Sequence, residues 1–166
     1  MALLFEPVIT GEQIEILAGK ADEVWHEHFV TILSPEQIDY MVDKFQSVQA
    51  IEDQLKNQGY QYYFLKLGEQ IIGYTGIKPE NGTLFLSKLY ILKPYRGRGY
   101  ASEAFDFLEG MCEGMGLSAI WLTVNRNNSN TIQVYEHRGF TTIKTQVADI
   151  GSGYVMDDYI MEKKIP

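Results

Sequence analysis

Between Arg96 and Ala101 the chain reads Arg-Gly-Arg-Gly-Tyr-Ala, and immediately afterwards a helical period begins. Ala101, Ala104, Phe105, Leu108, Met111, Cys112 and Met115 recur at i, i+3, i+4 and i+7, with Ser102, Glu103, Asp106, Glu109 and Glu113 on the other side. A helix start offers N–H groups that lack intrahelical acceptors, and a partial positive charge of roughly half a unit. Gly97 and Gly99 remove side chains that would keep an anion off that backbone, and Arg96 and Arg98 add two full charges. The stretch suits a phosphate or a pyrophosphate; the competing reading is an ordinary glycine turn with solvated arginines. Two familiar phosphate loops are excluded. No G-x-x-x-x-G-K-S/T string occurs, and the dinucleotide fingerprint fails because Ser102 stands where its last glycine belongs. No acid lies in Leu117 to Trp121, where that fingerprint needs one.

Other elements must hold this turn in place. Thr83 to Leu92 is almost continuously β-branched, aromatic or aliphatic, which predicts a central strand buried on both faces. Lys93-Pro94 ends it, since proline cannot donate to a ladder. Downstream, Gly114 and Gly116 stop the helix and Ala119 to Val124 forms a strand, so strand, helix and strand make a right-handed parallel crossover. Upstream, Tyr60 to Leu67 and Ile71 to Lys78 read as a hairpin, and Pro79-Glu80-Asn81-Gly82 as the turn into the central strand. Before them come a first strand (Leu3 to Val8) and helices capped by Thr10, Ser34 and Ser47. The last two strands, Phe140 to Ile150 and Tyr154 to Lys164, join across Gly151-Ser152-Gly153. The expected fold class is α/β (α+β): a mixed, mostly antiparallel sheet of about seven strands with one central parallel unit and helices on both faces.

With 166 residues, 45% of them apolar, and no linker, repeat or low-complexity tract, one domain spanning 1–166 is expected. A net charge of −8 argues against generic nucleic-acid binding and would attract a cationic substrate, although most of the acids read as solvated surface. Cys112, the only cysteine, falls on the apolar helix face and reads as core packing. Neither a signal peptide nor a membrane span is read, so a cytoplasmic location is expected. His28 lies on the apolar stripe of the first helix and reads as a boundary histidine, while His26 and Glu27 point elsewhere.

The Arg96–Ala101 string fits Q/R-x-x-G-x-G/A, and Val124 to Phe140 carries Asn128, Thr131, Ile132, Tyr135, Gly139 and Phe140 in the order N-x-x-A/T-I-x-x-Y-x-x-x-G-F. With the tail Asp158–Lys163, the combination resembles the GNAT family of N-acetyltransferases from about Gly68 to the C-terminus, whereas the first 59 residues match only as helices. The resemblance implies acetyl-CoA as cosubstrate and no metal. It implies that Arg96, Gly97, Arg98, Gly99, Tyr100 and Ala101 hold the pyrophosphate. Backbone groups of Leu89, Tyr90 and Ile91 would meet the acetyl and pantetheine portions where the central and fifth strands splay. One of those groups could serve the oxyanion.

Asn128 stands at a helix start, where it could cap the helix, and the resemblance places it beside the CoA arm. Tyr135 could simply fill space; the resemblance implies that its phenol protonates the departing thiolate. The amine attacks the thioester directly, with no acyl-enzyme. Two glutamate bases known from relatives are missing, because Phe85 and Thr123 stand at their positions. The base is therefore open, with waters or Glu27 as candidates. A looser likeness of the Leu86–Ile91 run and the Ser34–Met41 helix to bacterial polyamine acetyltransferases, with the acidic charge, points to a small cationic amine. Protein N-terminal or lysine acetylation, and a non-catalytic acyl-CoA-binding module, are the alternatives. A homodimer through exposed strand edges is compatible with the pattern.

Overall fold

A computed structural model describes residues 2–166. It contains β1 (Leu4–Pro7), α1 (Gly11–His28), α2 (Pro35–Gln46), α3 (Val48–Asn57), β2 (Gln61–Leu67), β3 (Gln70–Glu80) and β4 (Thr83–Ile91). Then follow a short 3-10 turn (Lys93–Tyr95), α4 (Tyr100–Met115), β5 (Ala119–Asn125), α5 (Ser129–His137), β6 (Thr141–Gly151) and β7 (Tyr154–Lys164). The seven strands run in the order β1-β2-β3-β4-β5-β7-β6. Among the described residues β4 and β5 pair in parallel, and β1–β2, β2–β3, β5–β7 and β6–β7 pair antiparallel. The mixed sheet expected from the sequence is therefore present. The chain packs as two compact units, Met1–Lys78 with Lys88–Leu108, and Pro79–Ser87 with Glu109–Pro166.

In the first unit each helix starts on the cap its sequence supplies. Thr10 Oγ1 accepts from Gln13 N while Gln13 Oε1 accepts from Thr10 N, a complete capping box. Ser34 Oγ and Ser47 Oγ cap α2 and α3 by accepting from Gln37 N and Ala50 N. The apolar stripe of α1 buries Ile14, Leu17, Ala21, Val24 and Trp25. Beneath it runs a chain of buried polar groups. Trp25 Nε1 donates to Tyr74 Oη (3.1 Å), Tyr74 Oη to Gln46 Oε1 (2.8 Å), and Gln46 Nε2 to Tyr62 Oη (3.1 Å) and Phe45 O (2.7 Å). Tyr62 Oη then donates to Gln54 Oε1 (2.5 Å), whose amide returns to Phe45 O. Burial raises the Tyr62 and Tyr74 phenols well above their ordinary value, so both stay protonated donors.

One side chain, Gln46, joins both tyrosines and is itself buried. Gln46→Ala leaves two desolvated phenols short of a partner and opens a cavity, which costs about 2–4 kcal/mol. Urea unfolding checks this as a lower midpoint at an unchanged slope.

The second unit is built on β7, which pairs with β5 over Ala119↔Lys164 to Asn125↔Asp158 and with β6 on its other side. Phe85 on β4 stacks on Trp121 of β5, with centroids 4.2 Å apart. Glu109 takes both Arg138 (2.7 Å) and Lys163 (3.0 Å), tying α4 to the end of α5 and to β7. Cys112 is buried, as its helix face required.

Several boundaries differ from the sequence reading. Pro79 lies within β3 rather than in the turn, beyond Ile77 where the β2 ladder stops. The turn itself is Asn81-Gly82, with φ of 51° and 76°. Gly114 sits inside α4, and Gly116, at φ 69°, is the stop. Met115 is exposed. Strand β4 is not buried on both faces: Leu84 and Leu86 are buried and the residues after them are half-buried. Alternation of this kind marks a strand with one covered face at its start.

Candidate active site

In the first unit the glycine-arginine turn hangs between two anchored tyrosines. Leu3, Leu65, Ile72 and Ala104 form a buried cluster, and Phe5, Leu67, Leu89, Ile91, Tyr95 and Tyr100 pack on it. Tyr95 closes the 3-10 turn and Tyr100 opens α4, so Arg96–Gly99 spans the gap between fixed points. Gly97 and Gly99 take φ of 77° and 84°, which side chains rarely adopt. A Cβ built on either would meet nothing within 4 Å. Backbone conformation, not crowding by the protein, is what demands glycine there, and the space outside both residues is open. The first helical bond runs from Glu103 N to Gly99 O (3.2 Å), so the amides of Tyr100, Ala101 and Ser102 precede any intrahelical acceptor. An anion fits this opening.

Leu89, Tyr90 and Ile91 occupy the end of β4 in the same unit, all half-buried. Their path is set by Gly73 on β3, whose missing Cβ would lie 2.2 Å from Tyr90 O. The β4 chain also bonds to β3 at its end, where Leu92 N donates to Ile72 O at 2.7 Å.

The two arginines behave differently. Arg98 is exposed. Arg96 Nη1 and Nη2 fork the Glu27 carboxylate at 2.8 and 2.7 Å, and its Nε donates to Ile91 O at 2.8 Å. That contact ties the end of α1 to the end of β4. The Arg96 guanidinium holds the Glu27 carboxyl below the usual carboxylate range. This ion pair contributes fully above the ordinary glutamate pKa and fades as pH falls through the lowered one. Nothing in the sequence announced it, because Glu27 and Arg96 lie 69 residues apart.

The same contact sets an aromatic group around Tyr90. Its ring lies 5.5 Å from His28, 6.1 Å from Trp25, 6.4 Å from Phe29 and 5.5 Å from Tyr74, mostly edge-on. Lys88 Nζ lies 5.7 Å from the Trp25 ring centroid. Burial, and then the Arg96 charge, push the His28 imidazole below its ordinary value, while Glu27 partly opposes them. The spacing of Trp25, His28 and Phe29 on one stripe was readable; the strand they face was not.

In the second unit Asn128 and Tyr135 flank α5. Asn128 sits at the N-cap position and is buried, but its side chain makes no cap bond. In the turn before the helix, Asn125 Oδ1 accepts from Asn127 N (2.9 Å). The capping role expected for Asn128 therefore does not hold. Tyr135 is half-buried with its ring 5.8 Å from Phe140, and burial pushes its phenol up to about 12. In this unit β4 and β5 register as a ladder only at Leu84↔Ile120 and Phe85↔Trp121.

The profile of the acetyltransferase (GNAT) family matches residues 22–140. The chain belongs to this family. As a GNAT protein it is an acetyl-CoA-dependent N-acetyltransferase. An uncharacterised N-acetyltransferase of Lactobacillus delbrueckii subsp. lactis is 24% identical over 140 residues, 80% of each chain. The ribosomal protein bS18-alanine N-acetyltransferase of Haemophilus ducreyi is 31% identical over 93 residues, 54% of this chain and 63% of its own. Among solved structures, the PaiA N-acetyltransferase of Thermoplasma acidophilum in complex with coenzyme A superposes with a TM-score of 0.80 at 22% identity, covering 99% of each chain. The GNAT fold is thereby shared along the whole length. Among the described residues no helix is long and apolar enough to cross a membrane.

Proposed function

We propose that this GNAT protein transfers acetyl from acetyl-CoA to the primary amine of a small molecule, with the Arg96–Ala101 turn as the pyrophosphate seat. The observation that carries the reading is the pair of left-handed glycines at the mouth of α4, each facing open space, on a turn anchored at both ends by Tyr95 and Tyr100. Amides at a helix start bind a diphosphate through several N–H groups at once, and the exposed Arg98 adds charge. Arg96 serves differently from a simple phosphate ligand: it positions Ile91, and with it the strand end proposed to meet the thioester. Leu89, Tyr90 and Ile91 would present backbone groups to the acetyl and pantetheine portions, and Asn128 would contact the CoA arm. Tyr135 donates to the departing sulfur.

The small-amine part rests on the −8 charge and on the side chains at two positions where relatives carry a base. Phe85 is stacked on Trp121, and Thr123 pairs opposite Ile160 on β7; neither can take a proton from an amine. A polyamine is one member of the proposed class. Acetylation of a peptide N-terminus is the second reading, favoured by the 31% match to the bS18-alanine enzyme.

Two measurements test the proposal. Calorimetry with acetyl-CoA on Gly97→Val/Gly99→Val is expected to show at least a tenfold loss of affinity. Gly153→Val, at φ 81° and also facing open space, introduces comparable strain in the β6–β7 turn and leaves binding unchanged. Equal binding by both variants overturns the phosphate seat. Thiol release across spermidine, aminoglycosides, amino acids and N-terminal peptides then sorts the acceptors, and turnover confined to peptides discards the small-amine reading.

A further inference from the structure

The proton that the attacking amine must lose has no acceptor among the groups assigned so far. Glu27, one candidate, is held by a fork of two hydrogen bonds from Arg96, and its lowered pKa makes it a poor base. One residue further along α1 stands His28. It is half-buried, packed edge-on against Phe29 (4.8 Å) and Tyr90 (5.5 Å), and within the reach of the Arg96 and Glu27 charges. Arg96 fixes this arrangement from outside, since it bonds Glu27 on α1 and Ile91 on β4 together. Imidazole is the one group in that cluster whose ordinary pKa lies near neutrality.

We propose that His28 is the general base of the transfer reaction, and that the acceptor amine approaches along the Trp25–His28–Phe29 face of α1 towards Tyr90. The inference rests on the reading that the Leu89–Ile91 segment meets the thioester. The nitrogen lone pair attacks the thioester carbonyl carbon and an N–C bond forms. The surplus proton on that nitrogen passes to the neutral His28 ring. The C–S bond breaks with its electron pair on sulfur, which leaves as a thiolate and takes a proton from solvent, and His28 returns its own proton to solvent.

Sign and surroundings agree with this role. A base must be unprotonated to work, and His28 is driven towards its neutral form first by burial and then by Arg96. The negative end of α1 and the Glu27 carboxylate oppose them, without reversing the direction. Facing His28 from β4 are Tyr90 and from the following turn Arg96; on its own helix the charged neighbour is Glu27. The Lys88 ammonium beside Trp25 disfavours a second positive charge there, and the neutral amine is the form that attacks.

The test uses the whole chain, acetyl-CoA and the amine panel above, followed as free thiol. His28→Gln is expected to lower kcat about 100-fold, within the range for loss of a positioned base, while calorimetry shows acetyl-CoA affinity within twofold of wild type. The ratio of wild-type to His28→Gln rates cancels the amine's own ionisation. It is expected to fall as pH drops through a value below the ordinary histidine pKa of about 6.5. Glu27→Gln, which removes the charge that raises His28, moves that fall to lower pH. His28→Ala is expected to recover rate with added imidazole, which a merely structural histidine would not allow. His28→Gln at the wild-type rate, a pH-independent ratio, or a wild type no faster than the variant each overturns the assignment. In all three cases intact acetyl-CoA binding leaves the cofactor seat standing.

Discussion

Tyr135→Phe is expected to lower kcat for acetyl transfer about 100-fold while acetyl-CoA affinity changes less than threefold. The substitution keeps the ring against Phe140 and removes one hydroxyl. The size follows from the chemistry. With its phenol pushed up to about 12, Tyr135 is protonated throughout the working pH range and contributes no descending limb at moderately alkaline pH. Complete transfer from such a phenol to a thiolate of ordinary pKa, about 8.5, is uphill by about 5 kcal/mol. The phenol therefore acts mainly as a hydrogen-bond donor to sulfur as charge gathers there. A bond to a charged partner is worth about 1.5–3 kcal/mol, which is one to two powers of ten in rate. Steady-state kinetics with a saturating amine measures it, and an unchanged kcat removes Tyr135 from the reaction.

Gly73→Ala is expected to destabilise the fold by about 3 kcal/mol and to weaken acetyl-CoA binding at the same time. The added methyl would lie 2.2 Å from Tyr90 O and 3.2 Å from Ile91 Cα. These are backbone atoms, so no side-chain rotation relieves the clash and β4 itself must shift. Because that strand end also carries the Arg96 bond to Ile91, a shift disturbs the segment proposed to meet the thioester. Urea unfolding and calorimetry on the same preparation check the pair of effects. Lost stability with fully retained affinity would separate the strand end from the cofactor.

Much of this architecture was legible because local rules and the tertiary solution agree. The Thr10, Ser34 and Ser47 caps and the Asn-Gly step of the turn each depend on a few adjacent residues and survive into the structure, and β4 and β5 pair in parallel as the intervening helix requires. The fully buried β4 failed for a physical reason. A run of apolar residues reports high hydrophobicity but not which face is covered, and here the later half of the strand is half-buried, Leu89 and Ile91 packing on the cluster that anchors the turn. Asn128 shows the other kind of failure: a good capping residue at the right position whose side chain makes no cap bond.

What the amino-acid sequence determined by itself was the order of elements and the left-handed glycines of the turn before α4, since backbone freedom, helix polarity and short-range spacing are properties of neighbouring residues. What only the tertiary structure decided was the partnering. Arg96 is bound to Glu27 and Ile91, His28 is packed on Tyr90, and Gly73 is glycine because a carbonyl from another strand occupies its side-chain space. These contacts join residues up to 69 positions apart, and no local periodicity encodes which of many distant groups a side chain will meet.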